Sequence, residues 1–132
     1  MTAEQTARQA RTEGARVRSD LRDALLGFRN ADGGWGYYPG KASRVEPTCW
    51  ALLALARHGG TTIEIEPLQK WPRQDAWFVD AKGAPINYAF NALAALTLLQ
   101  HPDGASLSSS VAAGIVRVKG VRLAQAQRLP QG

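Results

Sequence analysis

Apolar residues return every three or four positions over residues 15–29. Val17, Leu21, Ala24, Leu25 and Phe28 fall on one stripe, while Arg16, Arg18, Asp20, Arg22 and Asp23 lie off it. That is the pattern of an amphipathic helix. Ahead of it, from about Glu4, the chain is rich in Ala, Arg, Gln and Glu, all good helix formers. The spacing therefore predicts one long helical segment to Arg29. Gly14 is a point of division between a loosely ordered arm, residues 1–14, and the body of the domain, residues 15–127. The stretch from Asn30 to Gly40 holds four glycines and Pro39 and forces a turn-rich loop. It also holds Trp35, Tyr37 and Tyr38, whose rings need a surface to pack on, so the loop is expected to be ordered.

A second helix is predicted to start near Glu46-Pro47, because proline suits a first helical turn and an acid suits the positive end of the helix dipole. From Thr48 to Ala56 the sequence is apolar on every face. A helix with no polar side is expected to be buried all round. Arg57-His58-Gly59-Gly60 stops it. Ile63 to Glu66 alternates like a strand but is too short and precedes Pro67, so it reads as a connection into a short helix around Pro67–Trp71. Trp71, Trp77 and Phe78 then sit in a loop that ends at Lys82-Gly83. A further helix, from about Pro85 to Gln100, is again apolar nearly all round. His101-Pro102-Asp103-Gly104 turns the chain. The last helix, from about Ser106 to Gln127, carries Leu107, Val111, Ile115 and Val118 on one face, and residues 128–132 form a tail.

The order is amphipathic, apolar, short, apolar, amphipathic. Pro47 and Pro85 open the two apolar helices about 40 residues apart, the period of a helical repeat. Amphipathic rods outside and apolar rods inside are what two concentric layers require. The fold class is all-α, in two layers of four to five helices.

Composition narrows the picture. The 132 residues fit one domain, and 45% are hydrophobic, enough for a core. The formal charge of +5 owes much to Arg8, Arg11, Arg16 and Arg18 near the N-terminus. No cluster of base-reading or aromatic residues accompanies them, so they read as a solvated helix face and not as a nucleic-acid footprint. A weak attraction to anionic lipid at a membrane surface, or to an acidic partner, is the alternative. The lone Cys49 builds no intramolecular disulfide. The apolar runs fall short of the roughly 20 residues that cross a bilayer, and the expectation is a cytoplasmic protein with no transmembrane segment.

Two stretches carry a family likeness: Leu25 to Gly36, with its Asp32-Gly33-Gly34-Trp35 turn, and Val45-Glu46-Pro47-Thr48-Cys49-Trp50 onward. Together they resemble the repeat shared by squalene and hopene cyclases and by the β subunits of protein prenyltransferases. The likeness implies a partial α/α toroid. The glutamine of that repeat is Arg29 or Asn30 here. The second copy is degenerate, with Leu68-Gln69 and Trp77 recognisable, and a third begins at Lys119 and reaches Gln127. Gly33 and Gly34 permit backbone conformations closed to other residues, so that Trp35 folds back over the end of the preceding helix. Arg29, Asn30, Asp32, Gly33, Gly34, Trp35 and Pro47 are the expected structural staple. A closed toroid of that family takes many more helices than this chain predicts. The expectation is therefore a truncated member, or one whose open faces are covered by a homo-oligomer or a larger subunit.

Catalysis finds little support. The family's Asp-x-Asp-Asp acid motif is absent. Its zinc set, an Asp, a Cys and a His, is not reproduced. Cys49 and His58 lie about 13.5 Å apart along one helix at 1.5 Å rise per residue, so Cys49 reads as a small buried hydrophobe and His58 as a helix C-terminal residue. No metal and no cofactor are implied. Asp32 and Glu46 are the candidate carboxylates, flanking the first loop and able to converge at the mouth of the second helix. Glu46 charging its helix start and Asn87 capping its own helix are the structural alternatives. Trp35, Tyr37, Tyr38, Thr48, Trp50, Asn87 and Tyr88 are candidates to line a site for an isoprenoid or other hydrophobic small molecule. The leading reading is a noncatalytic or truncated repeat protein with a structural or interaction role. The alternatives are a subunit or fragment of an isoprenoid cyclase or transferase, and a hydrophobic-ligand binding module.

Overall fold

The computed structural model describes residues 1–58 and 64–127, with side chains to residue 57 and from 64 to 118. The chain is all-α apart from one small hairpin. Helix α1 spans Ala3–Gly27, α2 Val45–His58, α3 Glu66–Gln69, α4 Tyr88–Leu99 and α5 Ala105–Gln127. Strands β1, Arg73–Gln74, and β2, Trp77–Phe78, pair antiparallel between α3 and α4. A turn of 3₁₀ helix at Pro102–Gly104 links α4 to α5.

Helix α1 starts on a capping box. Thr2 Oγ1 accepts from the Gln5 N–H at 3.1 Å, and Gln5 Oε1 accepts from the Thr2 N–H at 2.9 Å. The expected break at Gly14 does not occur. A single glycine costs about 1 kcal/mol in a helix interior, and the good helix formers on either side carry the helix through it. No residue of α1 is buried. Its apolar stripe is laid out as expected, yet Val17 and Leu21 stay exposed.

The core lies between α2, α4 and α5 and runs under the loops that precede α2 and α4. Cys49, Leu52, Leu68, Phe78, Ala94, Leu98 and Val111 are fully or almost fully buried in it. α4 packs on α5 along Leu107, Val111 and Ile115, where the buried Ser108 hydroxyl donates to the Ala95 carbonyl at 2.7 Å. Burial of each large aliphatic side chain contributes about 1.5–3 kcal/mol.

Two expectations need correction. The apolar helices are not buried all round: Trp50 on α2 is 58% exposed, and on α4 Leu96 is 58% and Leu99 56% exposed. Three packed helices cover two or three sides of each rod, and among the described residues nothing covers the last. Nor does Pro85 open α4. Asn87 caps that helix, its side chain accepting from the Phe90 N–H at 3.0 Å, and Pro85 stays in the extended lead-in. Pro47 does sit in the first turn of α2. The strand-like alternation begins at Ile63, outside the described residues, and of the rest Ile65 precedes α3. The stop at Gly59-Gly60 and the tail 128–132 also lie outside. The third turn copy falls inside α5, where side chains beyond residue 118 are not described.

No described helix is long and apolar enough to cross a membrane.

Candidate functional site

Gly33 takes φ +86°, a left-handed backbone that only glycine adopts freely. This lets the chain reverse, with the Asn30 N–H donating to the Gly34 carbonyl at 2.8 Å. A side chain at Gly34 would come within 2.8 Å of Ser43, so its lack of one lets the loop's two arms close. Trp35 is then swung back over α1. Its indole Nε1–H donates at 2.8 Å to the Leu25 carbonyl in the last turn of α1, an oxygen that also accepts from the Phe28 N–H at 3.2 Å.

The polar residues of the turn engage one another and its main chain. Arg29 donates from Nε to the Gly33 carbonyl at 2.9 Å, pairs with Glu64 at 2.8 Å, and lies 5.1 Å from the Trp35 ring centroid. Asn30 donates to the Lys41 carbonyl at 2.8 Å and to Ser43 Oγ at 3.0 Å. Asp32 Oδ1 accepts from the Gly34 N–H at 2.9 Å and from the Ser43 hydroxyl at 2.6 Å. The buried Thr48 hydroxyl closes the arrangement: it accepts from the Trp35 N–H at 2.9 Å and donates to the Trp35 carbonyl at 3.2 Å. α1, the turn and α2 are thereby clamped together.

The same clamp occurs a second time. Asn91 on α4 accepts from the Phe78 N–H at 2.8 Å and donates to the Phe78 carbonyl at 3.0 Å. The offset is constant: from Trp35 to Phe78, from Thr48 to Asn91, and from the first residue of α2 to that of α4 is 43 residues each time. Leu68 follows Leu25 by the same interval. Phe78 therefore takes the place that sequence assigns to Trp77. Trp77 instead packs edge-on against Tyr88, with centroids 5.2 Å apart, and its ring abuts Gly114.

Asp32 and Glu46 do not converge. Asp32 borders a cleft with Ser43, Pro67, Trp71 and Asp80. Glu46 borders a different one, of about 430 Å³, walled by Phe28, Trp35, Tyr37, Tyr38 and Trp50 and floored by Leu25, Pro47, Ala51 and Ala54. Four of the seven ligand-lining candidates (Trp35, Tyr37, Tyr38 and Trp50) thus share one cleft. Thr48 is buried in the clamp, and Asn87 and Tyr88 stand apart at the start of α4. Desolvation, and after it the hydrogen bond and charge of Glu46, push the Tyr37 phenol above its ordinary value.

Asp80 is the residue that sequence reasoning missed. From 35 residues away its Oδ1 accepts the Val45 N–H at 2.9 Å while Oδ2 pairs with Arg44 at 3.3 Å, so it caps α2. Nothing near Val45 in the sequence signals it. Cys49 is fully buried, and desolvation pushes its thiol up to about 12. A neutral thiol of that kind is not a metal ligand. Among the described residues no three His, Cys, Asp or Glu side chains gather closely enough to hold a metal ion.

Against known proteins, no family model matches the chain and no solved structure matches it. Over 36 residues, 27% of its length, it is 50% identical to a drimenyl diphosphate synthase of Streptantibioticus cattleyicolor. The likeness is to a terpene cyclase. It spans 7% of that protein's length.

Proposed function

We propose that the chain is a noncatalytic helical repeat unit of the terpene cyclase kind, with a structural or interaction role. In this reading α1 belongs to an outer layer and α2 and α4 to an inner layer of a partial α/α toroid. The observation that carries it is the clamp repeated at 43 residues, since one unit built twice is how a layered helical array grows. The short terpene cyclase match supports it. So does the commitment of Arg29, Asn30, Asp32 and Thr48 to holding the turn. The wet apolar faces of α2 and α4 suit packing against neighbouring helices, from a larger subunit or a second copy.

The test is twofold. Incubation with an isoprenyl diphosphate and with squalene, followed by product analysis, is expected to give no turnover. Product formation lost in Glu46→Gln would replace this reading by that of a cyclase or transferase subunit. Light scattering is expected to show concentration-dependent association, and a monomer at every concentration would remove the interaction role.

A second reading is favoured by the cleft itself: a hydrophobic-ligand module. Five aromatic rings around about 430 Å³ fall in the size range of small-molecule sites. Quenching or enhancement of tryptophan fluorescence by a long-chain alcohol, lost in Trp50→Ala, is the expected sign.

A further inference from the structure

Glu46 is the one carboxylate in the aromatic cleft, and its setting is unusual for a helix-start acid. Among the described residues no Lys, Arg or His pairs with it. The nearest arginine in sequence, Arg44, is turned to Asp80 at 3.3 Å. Arg29 is engaged with Glu64 at 2.8 Å and stacks on the Trp35 ring at 5.1 Å. Around Glu46 stand Tyr37, Tyr38 and Trp50, each at least half exposed, together with Phe28. Apolar rings rarely stay open to water in a group of this size unless something covers them.

We propose that this cleft binds a cationic amphiphile: an aliphatic chain carrying a substituted ammonium head. The inference rests on the second reading above, that the cleft takes an apolar chain, and adds the head group. The chemistry is complementary at each end. The negative faces of Trp and Tyr rings attract a cation, and a methylated ammonium sheds water readily enough to sit on them. The Glu46 carboxylate supplies the opposite charge that a neutral or anionic head could not use. The chain lies along Leu25, Ala51 and Ala54 on the cleft floor. Tyr37, beside Glu46, keeps its proton in the neutral range and holds the carboxylate's orientation.

The test uses the full chain and two probes of equal chain length, decyltrimethylammonium and 1-decanol, each kept below micelle formation. Binding is read by calorimetry and by tryptophan fluorescence. The ammonium is expected to bind at least tenfold more tightly than the alcohol at low salt. Glu46→Gln brings the two within about threefold by weakening the ammonium, because an exposed ion pair and a cation–π contact are each of that order. Trp50→Ala weakens both probes. Circular dichroism confirms that each variant is folded, and raising the salt concentration on the wild-type chain, which erodes only the ammonium's advantage, tests the charge without any substitution. Equal binding of the two probes to the wild-type chain, or a preference for the ammonium that stays undiminished in Glu46→Gln, overturns the head-group assignment and leaves the cleft. Binding of neither probe overturns the cleft reading as well.

Discussion

Thr48→Val removes one hydroxyl from the centre of the clamp and almost nothing else. Valine keeps the branched shape, so no cavity opens, and position 48 is fully buried, so water cannot replace what is lost. The hydroxyl has two partners. The Trp35 carbonyl keeps a second donor, the Arg44 N–H at 2.9 Å, and stays satisfied. The Trp35 N–H has only Thr48 Oγ1, at 2.9 Å. One buried amide is therefore orphaned, which costs about 1–3 kcal/mol. The expected loss is about 2 kcal/mol, a large part of the roughly 5–15 kcal/mol by which a domain is stable. Urea unfolding followed by far-UV circular dichroism measures it, with an unchanged slope as evidence that only stability has moved. Thr48→Ser, which keeps the hydroxyl and loses a buried methyl, is expected to cost about 0.8 kcal/mol. If valine costs no more than serine, or falls within about 0.5 kcal/mol of wild type as neutral surface changes do, the clamp is not what joins the turn to α2.

Other outcomes follow from the same geometry. Cys49 is expected to resist thiol reagents until the chain is unfolded. Its raised pKa gives a definite sign: the folded state holds the proton up to about 12 while the unfolded state releases it near the ordinary 9.0. This penalty is absent below about pH 9 and grows between there and pH 12, by up to about 1.4 kcal/mol per unit. The stability gap between wild type and Cys49→Ala should therefore shrink between about pH 8 and about pH 10.5, and a constant gap would contradict the burial. Asp80→Ala removes a helix cap and an ion pair and should cost about 1–2 kcal/mol in the same denaturant assay, most of it from the cap. Gly104→Ala would drive a Cβ into the Leu98 carbonyl oxygen, a backbone clash at the α4–α5 corner expected to cost about 3 kcal/mol. Removing residues 1–14, none of them buried, should leave the unfolding free energy of the remainder within about 0.5 kcal/mol.

Much of this fold is written in local pattern. The apolar positions of α5 and the cap at Asn87 follow from period and residue type alone, and both are present. The turn at Asn30–Gly40 is legible because its glycines are where chain reversal needs them. What escaped is tertiary. Asp80 sits among loop residues, and only the path of the chain brings it to Val45. Asn91 lies inside an apolar helix, where a polar residue gives no clue to whether it faces water or a main-chain partner. The two-residue strands of the hairpin are too short to show alternation. Open apolar faces are expected of a truncated member, but which side chains of α2 and α4 stay uncovered is not legible: an all-apolar helix announces that burial is wanted, not what supplies it.

The second clamp falls one residue from where sequence places it because its chemistry changes while its geometry does not. In the first copy a threonine hydroxyl serves both as acceptor and as donor, and a glycine pair lets the tryptophan backbone reach it. In the second an asparagine amide splits the two roles between its oxygen and its nitrogen, with a longer reach, and no glycine pair stands at 76 and 77. A hairpin presents Phe78 instead. The shorter side chain demands the closer loop, and the closer loop demands glycine. Motif matching weighs the glycines most heavily, so it fixes the turn that needs them and, with no glycine pair to set the register, settles on Trp77 in place of Phe78. The main-chain N–H and C=O of the residue that ends the turn are the invariant part. A repeat of this kind is best sought as a polar side chain near the start of an apolar helix, 13 residues after an aromatic, as Thr48 follows Trp35 and Asn91 follows Phe78.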